Sequence, residues 1–167
     1  MVVEARDPAR DPALAVRLLE VQHAAYAVEA RLIGDDRIPA LTEDLAGLTS
    51  AGLSWLVARE DSTVLGALGW RSTADGIDDG IDVDRLVVDP AHARRGTGRA
   101  LVAAVLELAG DRPVTVSTGR DNTPARRLYA RAGFREVAER EVLAGLWVVQ
   151  LARIPQTRTT RSATTWS

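Results

Sequence analysis

The chain has 167 residues, no cysteine, two histidines and a formal net charge of −2. That composition excludes disulfides, thiolate metal sites and cysteine nucleophiles, argues against any metal centre, and supplies no basic surplus for nucleic-acid binding. With 46% hydrophobic and 26% charged residues it fits one globular domain, expected over residues 1–153. The first residues hold no apolar signal core and no run approaches the ~20 residues of a membrane span, so a cytoplasmic location without membrane contact is expected.

Val2 to Ala5 reads as a short first strand. From Pro12 onward, Leu14, Leu18, Val21, Ala25, Val28 and Leu32 recur at steps of four and three, the stripe of a long amphipathic helix that Gly34 can end. Thr42 to Leu48 predicts a second, shorter helix. Trp55–Ala58 and Val64–Trp70 predict paired strands around a turn at Asp61–Thr63. Ile81–Val88 is a further strand, alternating at its start and continuously apolar at its end. After a glycine-containing loop comes a helix with Leu101, Val102, Val105, Leu106 and Ala109 on its buried side, then a strand over Pro113–Ser117. Thr123-Pro124 offers a helix cap and a first-turn proline; Ala125, Leu128, Tyr129 and Ala132 share a face, and Gly133 suits the left-handed position beyond. Strands at Val137–Val142 and Leu146–Leu151 close the order, and the Thr/Arg/Ser-rich tail, 154–167, is expected to be disordered. The fold class is α+β with a mixed sheet. Most strands are antiparallel, but the strand–helix–strand unit between 81 and 118 must be parallel.

The loop in that unit reads Asp89-Pro90-Ala91-His92-Ala93-Arg94-Arg95-Gly96-Thr97-Gly98-Arg99-Ala100-Leu101. A glycine turn between strand and helix leaves amides unpaired at the helix start, where the positive end of the helix dipole also points. Such a site binds phosphate, and glycine lets the phosphate approach the backbone. Arg94, Arg95 and Arg99 add charge beside it. A P-loop requires Lys-Ser/Thr after its last glycine, and here Arg99-Ala100 stands there. A dinucleotide fingerprint requires a small residue at Leu101 and a place in the first strand–helix unit, which this loop does not have. A plain tight turn is the remaining alternative.

A third pattern fits better. Asp-Pro, six residues, Gly96-Thr97-Gly98, then Leu101, followed by Asn122, Ala125, Leu128-Tyr129 and Gly133-Phe134 resembles the GNAT family of acetyl-CoA-dependent N-acetyltransferases. The resemblance is close over residues 81–151, and the element order extends it along the ordered chain. One position departs: the family usually carries Gln or Arg three residues before the first glycine, and this chain has Ala93.

The resemblance implies that the strands at 81–88 and 113–118 splay apart and that the pantetheine arm of acetyl-CoA inserts between them, pairing with the backbone of Leu86, Val87 and Val88. Amides of Arg94, Arg95, Gly96, Thr97, Gly98 and Arg99 would hold the pyrophosphate, with Arg94 or Arg95 supplying the charge missing at Ala93. Asn122 would contact the cofactor, and Tyr129 would stand near the thioester sulfur as general acid. The first long helix would wall the acceptor pocket, placing Tyr26 and Glu29 against the substrate. A homodimer is in keeping with the family.

Acetyl transfer to an amine requires a group that removes the ammonium proton. By the two-residue period, Asp82 and Asp84 share a face of their strand that is expected to continue through Leu86 and Val88. Asp84, nearer the splay, is the first choice for base; simple solvation within the acidic run 75–84 is the equal alternative. Glu29 offers a second base or an amine anchor, although a helix glutamate is ordinarily a solvated surface group. Trp55, Trp70 and Trp147 read as core or pocket wall, and His92 as an exposed loop residue. The expected activity is direct acetyl transfer to a primary amine of a small molecule or peptide, the alternative being an acyl-CoA-binding sensor without turnover.

Overall fold

The structure, a computed structural model, describes residues 1–73 and 79–155. Seven strands make one sheet: β1 (Val2–Arg6), β2 (Ser54–Glu60), β3 (Thr63–Ser72), β4 (Ile81–Val88), β5 (Val114–Gly119), β6 (Arg135–Leu143) and β7 (Leu146–Arg153). Their spatial order is β1-β2-β3-β4-β5-β7-β6. Every neighbouring pair is antiparallel except β4 and β5, the parallel pair that the strand–helix–strand pattern requires. Four helices, α1 (Pro12–Ile33), α2 (Leu45–Ser50), α3 (Thr97–Ala109) and α4 (Thr123–Arg131), cover the sheet. None of the helices among the described residues is long and apolar enough to cross a membrane.

The long helix begins and ends on side-chain chemistry. Asp11 accepts the Leu14 N–H at 3.1 Å, Pro12 fills the first turn, and Gly34 closes the helix at φ 68°. Its Leu14, Ala15, Leu18 and Val21 pack with Trp55, Val57, Val64, Ala67 and Val87 on one face of the sheet. On the other face Leu101, Val102, Val105 and Ala109 of α3 pack with Leu56, Ala58, Leu68, Ile81, Val83, Val114 and Val116. Alternating strand residues thus feed two cores, one above the sheet and one below.

Two irregularities in β4 create the site. The β4–β5 ladder pairs Ile81 with Val114, Asp82 with Thr115 and Val83 with Val116, and stops there. From Asp84 and Ser117 onward the strands part, and the backbone of Asp84–Val88 on that edge has no partner in β5. On the opposite edge Gly69 pairs with Arg85 but Trp70 with Val83, so Asp84 is the extra residue of a β-bulge. The bulge reverses the alternation: Ile81 and Val83 face the α3 core, yet so does Leu86, while Val87 faces α1. Asp82 and Asp84 therefore do not share one continuous face with Leu86 and Val88, as strict alternation had predicted. Arg85 is turned to the α1 side instead.

Two boundaries also differ from expectation. α4 is capped by Asn122, whose Oδ1 accepts the Ala125 N–H at 3.2 Å, so Thr123 opens the helix rather than capping it. A 3-10 turn at Pro39–Leu41 precedes α2, which starts on the Asp44 cap instead of at Thr42. Residues 156–167 of the tail expected to be disordered, and 74–78, which take in part of the acidic run, fall outside the described residues.

Candidate active site

Asp89 anchors the loop. Its carboxylate accepts the Ala91 N–H at 3.0 Å, meets Arg17 of α1 at 2.6 Å and lies 3.3 Å from His92, while its own N–H bonds Leu65 O in β3. Burial alone would raise its pKa, but the Ala91 N–H, His92 and Arg17 together hold it below the ordinary aspartate value. Past this anchor, Arg94 at φ 64° and Gly96 at φ 80° both take the left-handed conformation and turn the chain into α3. Glycine supplies that geometry without strain at 96.

No side chain caps α3; its first intrahelical bond is Ala100 N–H to Gly96 O at 2.9 Å. The amides of Thr97, Gly98 and Arg99 are the orphan donors of that helix, in the field of its positive end. A side chain at Gly98 would begin 3.3 Å from Leu128 of α4 and 3.7 Å from Val88, inside the angle between α3, α4 and the end of β4. Arg95 pairs with Glu60 at 2.8 Å, leaving Arg94 and Arg99 as the exposed cations beside these amides that form no ion pair among the described residues.

Tyr129 lies two turns into α4 and is 3% exposed. Its ring meets Phe134 edge-on, centroids 5.4 Å apart, a contact worth about 1 kcal/mol. Among the described residues no side-chain nitrogen or oxygen is both sealed from solvent and unpaired. The Tyr129 hydroxyl, which bonds none of them, therefore keeps an opening to solvent. Burial raises its pKa above the ordinary tyrosine value, and nearby Tyr26 and Glu29 add to the shift. Tyr26 is raised likewise, by burial first and then by Glu29.

Glu29 is half-buried, not the solvated surface group that helix glutamates usually are. Burial raises its carboxyl pKa, and the Asn122 amide and Gly119 N–H oppose that only in part. Asn122 itself is 8% exposed and caps α4.

Asp84 stands on the wall of a cavity of about 410 Å³ formed with Tyr26, Ile38, Pro39, Ala40, Thr42, Glu43 and Arg85. Its two oxygens are each held by a guanidinium, Oδ1 by Arg71 at 2.6 Å and Oδ2 by Arg85 at 2.7 Å. Arg85 also donates to Gln22 at 3.0 Å and Glu43 at 2.5 Å and lies over Trp55, 5.9 Å from the ring centroid. Gln22 in turn donates to Ala40 O and Glu43, which ties the 40–43 segment to α1 and β4. Asp82 accepts the Thr115 hydroxyl at 2.9 Å across the last paired rungs.

Sequence reasoning singled out Tyr26, Glu29, Asp84, Asn122 and Tyr129, and the fold gathers them around the parting of β4 and β5. It passed over Arg85 and Glu43. A lone arginine beside Leu86-Val87-Val88 was the available signal, because a charge entering such a strand requires buried partners. Trp55 is core, Trp70 is half-buried against the α3 core, and Trp147 underlies Arg120 at 5.2 Å.

The family model described as the acetyltransferase (GNAT) family matches residues 18–134, which span the parted strands, the glycine loop and the Asn122–Tyr129 helix. Among curated proteins, the mycothiol acetyltransferase of Kineococcus radiotolerans is 37% identical over 123 residues, covering 72% of this chain and 40% of that protein. The N-alpha-acetyltransferase RimI of Mycobacterium tuberculosis is 33% identical over 116 residues, covering 68% of this chain and 72% of that one. The chain thus spans well under half of the first of these relatives. An aminoglycoside 6'-N-acetyltransferase solved in complex with coenzyme A shares the fold at TM-score 0.70 and 15% identity, over 93% of this chain and 99% of that one. With its parted parallel strands, uncapped glycine helix start and Asn122–Tyr129 helix, this chain belongs to the GNAT family of acetyltransferases.

Proposed function

We propose that the protein transfers an acetyl group from acetyl-CoA directly to a primary amine of a small molecule or peptide. The carrying observation is the parting of β4 and β5 after Val83 and Val116, immediately beside the uncapped start of α3. An open strand edge and a set of orphan amides are what a pantetheine arm and its pyrophosphate require. The backbone of Leu86, Val87 and Val88 would pair with the arm. The amides of Thr97, Gly98 and Arg99 would take the pyrophosphate, with Arg94 supplying the charge that the family usually places at Ala93. Arg95 serves less well, being committed to Glu60. Asn122 shapes the start of α4 through its Oδ1, which accepts the Ala125 N–H, and its side-chain NH2 is left to contact the cofactor.

Acetyl-CoA supplies an activated thioester. The chain supplies position and proton transfer. Tyr129, protonated at neutral pH and open at its hydroxyl, is the donor for the departing thiolate. The cavity beside Tyr26 and Arg85 receives the amine. Asp84 reads as part of its wall more than as a free base, because both oxygens are engaged by arginines. One relative is named a mycothiol acetyltransferase and another an N-alpha-acetyltransferase, names that support acetyl transfer without choosing between a small-molecule and a peptide acceptor.

Release of free CoA thiol from acetyl-CoA, followed against a panel of small amines and peptides, tests this reading. Amine-dependent release is expected. Acetyl-CoA binding with no release for any amine would make the protein a binder instead.

A further inference from the structure

We infer that Arg85, on β4, is a positioning residue that holds the outer wall of the acceptor cavity, residues 38–43, in place against the strand beside which acetyl-CoA lies. This role rests on the acetyltransferase reading above. The cavity of about 410 Å³ lies between three elements: α1 gives Tyr26, the segment after it gives Ile38, Pro39, Ala40, Thr42 and Glu43, and β4 gives Asp84 and Arg85. Side-chain packing cannot hold walls together across an open space, so directional bonds must do it. The segment is tied to α1 by Gln22, whose Nε2 donates to Ala40 O at 3.0 Å and to Glu43 at 2.7 Å, and by His23, whose Nε2 lies 2.7 Å from Glu43 O. It is tied to β4 by Arg85. Arg85 Nη1 donates to Glu43 at 2.5 Å and to Gln22 Oε1 at 3.0 Å, and its Nε donates to Asp84 at 2.7 Å. One planar guanidinium thus joins all three walls.

The fold spends a strand irregularity on this aim. Ile81 and Val83 face the α3 core, and strict alternation would send Arg85 there too; the bulge at Asp84 turns it to the α1 side. There its side chain is only 9% exposed and lies over Trp55. A position needed for packing alone would be served as well by an apolar residue, since replacing a buried ion network in that way is commonly neutral or stabilising. Arg85 also stands two residues past Val83, the last β4 residue paired with β5, and so at the mouth of the gap proposed for the thioester. A wall fixed to this residue sets how far a bound amine sits from the thioester carbonyl.

Steady-state kinetics with the amine varied, acetyl-CoA calorimetry and hydrogen exchange over residues 38–43 test this role in Arg85→Lys, Glu43→Ala and Glu43→Gln. Lysine keeps the charge, but one ammonium cannot bridge Asp84, Gln22 and Glu43 as the planar guanidinium does. Arg85→Lys should raise KM for the amine ~10-fold or more, with the loss residing in KM rather than kcat and acetyl-CoA affinity within about twofold of wild type. Glu43→Ala severs the same bond from the wall side and leaves Arg85 paired with Asp84, so it should reproduce the rise even if Arg85→Lys fails to fold. Glu43→Gln, which keeps a carbonyl acceptor for Arg85, should restore most of the wild-type KM. The double variant Arg85→Lys/Glu43→Ala should be no worse than either single one, because both act through one contact. Exchange at 38–43 should quicken in Arg85→Lys and Glu43→Ala while the start of α3 keeps its wild-type rate. A loss of stability alone would produce neither the KM split nor the local exchange. Unchanged amine KM in these variants, a rise matched by weakened acetyl-CoA binding, or unchanged exchange at 38–43 would overturn this role and leave the acetyltransferase reading standing. Absence of amine-dependent turnover in wild type would overturn that reading and this role with it.

Discussion

At the scale of the residue, Tyr129 carries the sharpest consequence. A tyrosine buried for packing alone would spend its hydroxyl on a protein acceptor, and this one bonds none among the described residues. Tyr129→Phe keeps the ring against Phe134 and removes only the proton. Turnover should fall ~10²–10⁴-fold with acetyl-CoA affinity nearly unchanged, measured by steady-state kinetics and calorimetry. Melting should hardly move, because no hydrogen bond to a described residue is lost. Near-normal turnover in a well-folded variant would return Tyr129 to a packing role.

At the scale of the element, α4 is a short helix whose start is fixed by one side chain. Asn122→Ala removes the acceptor for the Ala125 N–H and should cost about 1 kcal/mol in denaturant unfolding, while Asn122→Ser, which retains a cap, should recover most of it. If Asn122→Ala were neutral, the helix start would be held by other contacts. The elements themselves were largely legible, because α1, α3 and the strands carry periods that burial enforces. The stripe Leu14, Leu18, Val21 and the run Leu101, Val102, Val105 point into their cores as the spacing predicts. The bulge at Asp84 was not legible. It is a register property set by how β3 and β4 pair, and one extra residue reversed the facing of Arg85 and Leu86 against strict alternation. The burial of Glu29 escaped for a related reason: its surroundings come from β5 and α4, about ninety residues further along the chain. The Asn122–Tyr129 spacing, by contrast, lies within one helix and was readable directly.

At the scale of the whole molecule, the described strands form one sheet whose β4–β5 ladder stops at Val83 and Val116. Two cores hold it from both faces, and the edge strand β6 is exposed along its length with Arg135, Glu136, Glu139, Arg140 and Glu141 on it, charges that discourage edge-to-edge pairing. The parting of β4 and β5 lies beside the start of α3, where Gly98 approaches Val88 of β4 and Leu128 of α4. Backbone groups freed by that break are available to a ligand without unfolding anything else.

Amide chemical shifts recorded while acetyl-CoA is titrated into the uniformly labelled protein test this directly, with Gly98→Val titrated in parallel. The largest changes should fall on Thr97, Gly98 and Arg99, on Asp84 to Val88 and on Ser117 to Gly119. In Gly98→Val they should be lost or strongly weakened while the rest of the spectrum stays folded, because the new side chain projects toward Leu128 and Val88. Saturable binding whose shifts leave both the α3 start and the parted strands untouched, or equal affinity in Gly98→Val, would contradict the placement of acetyl-CoA in that gap.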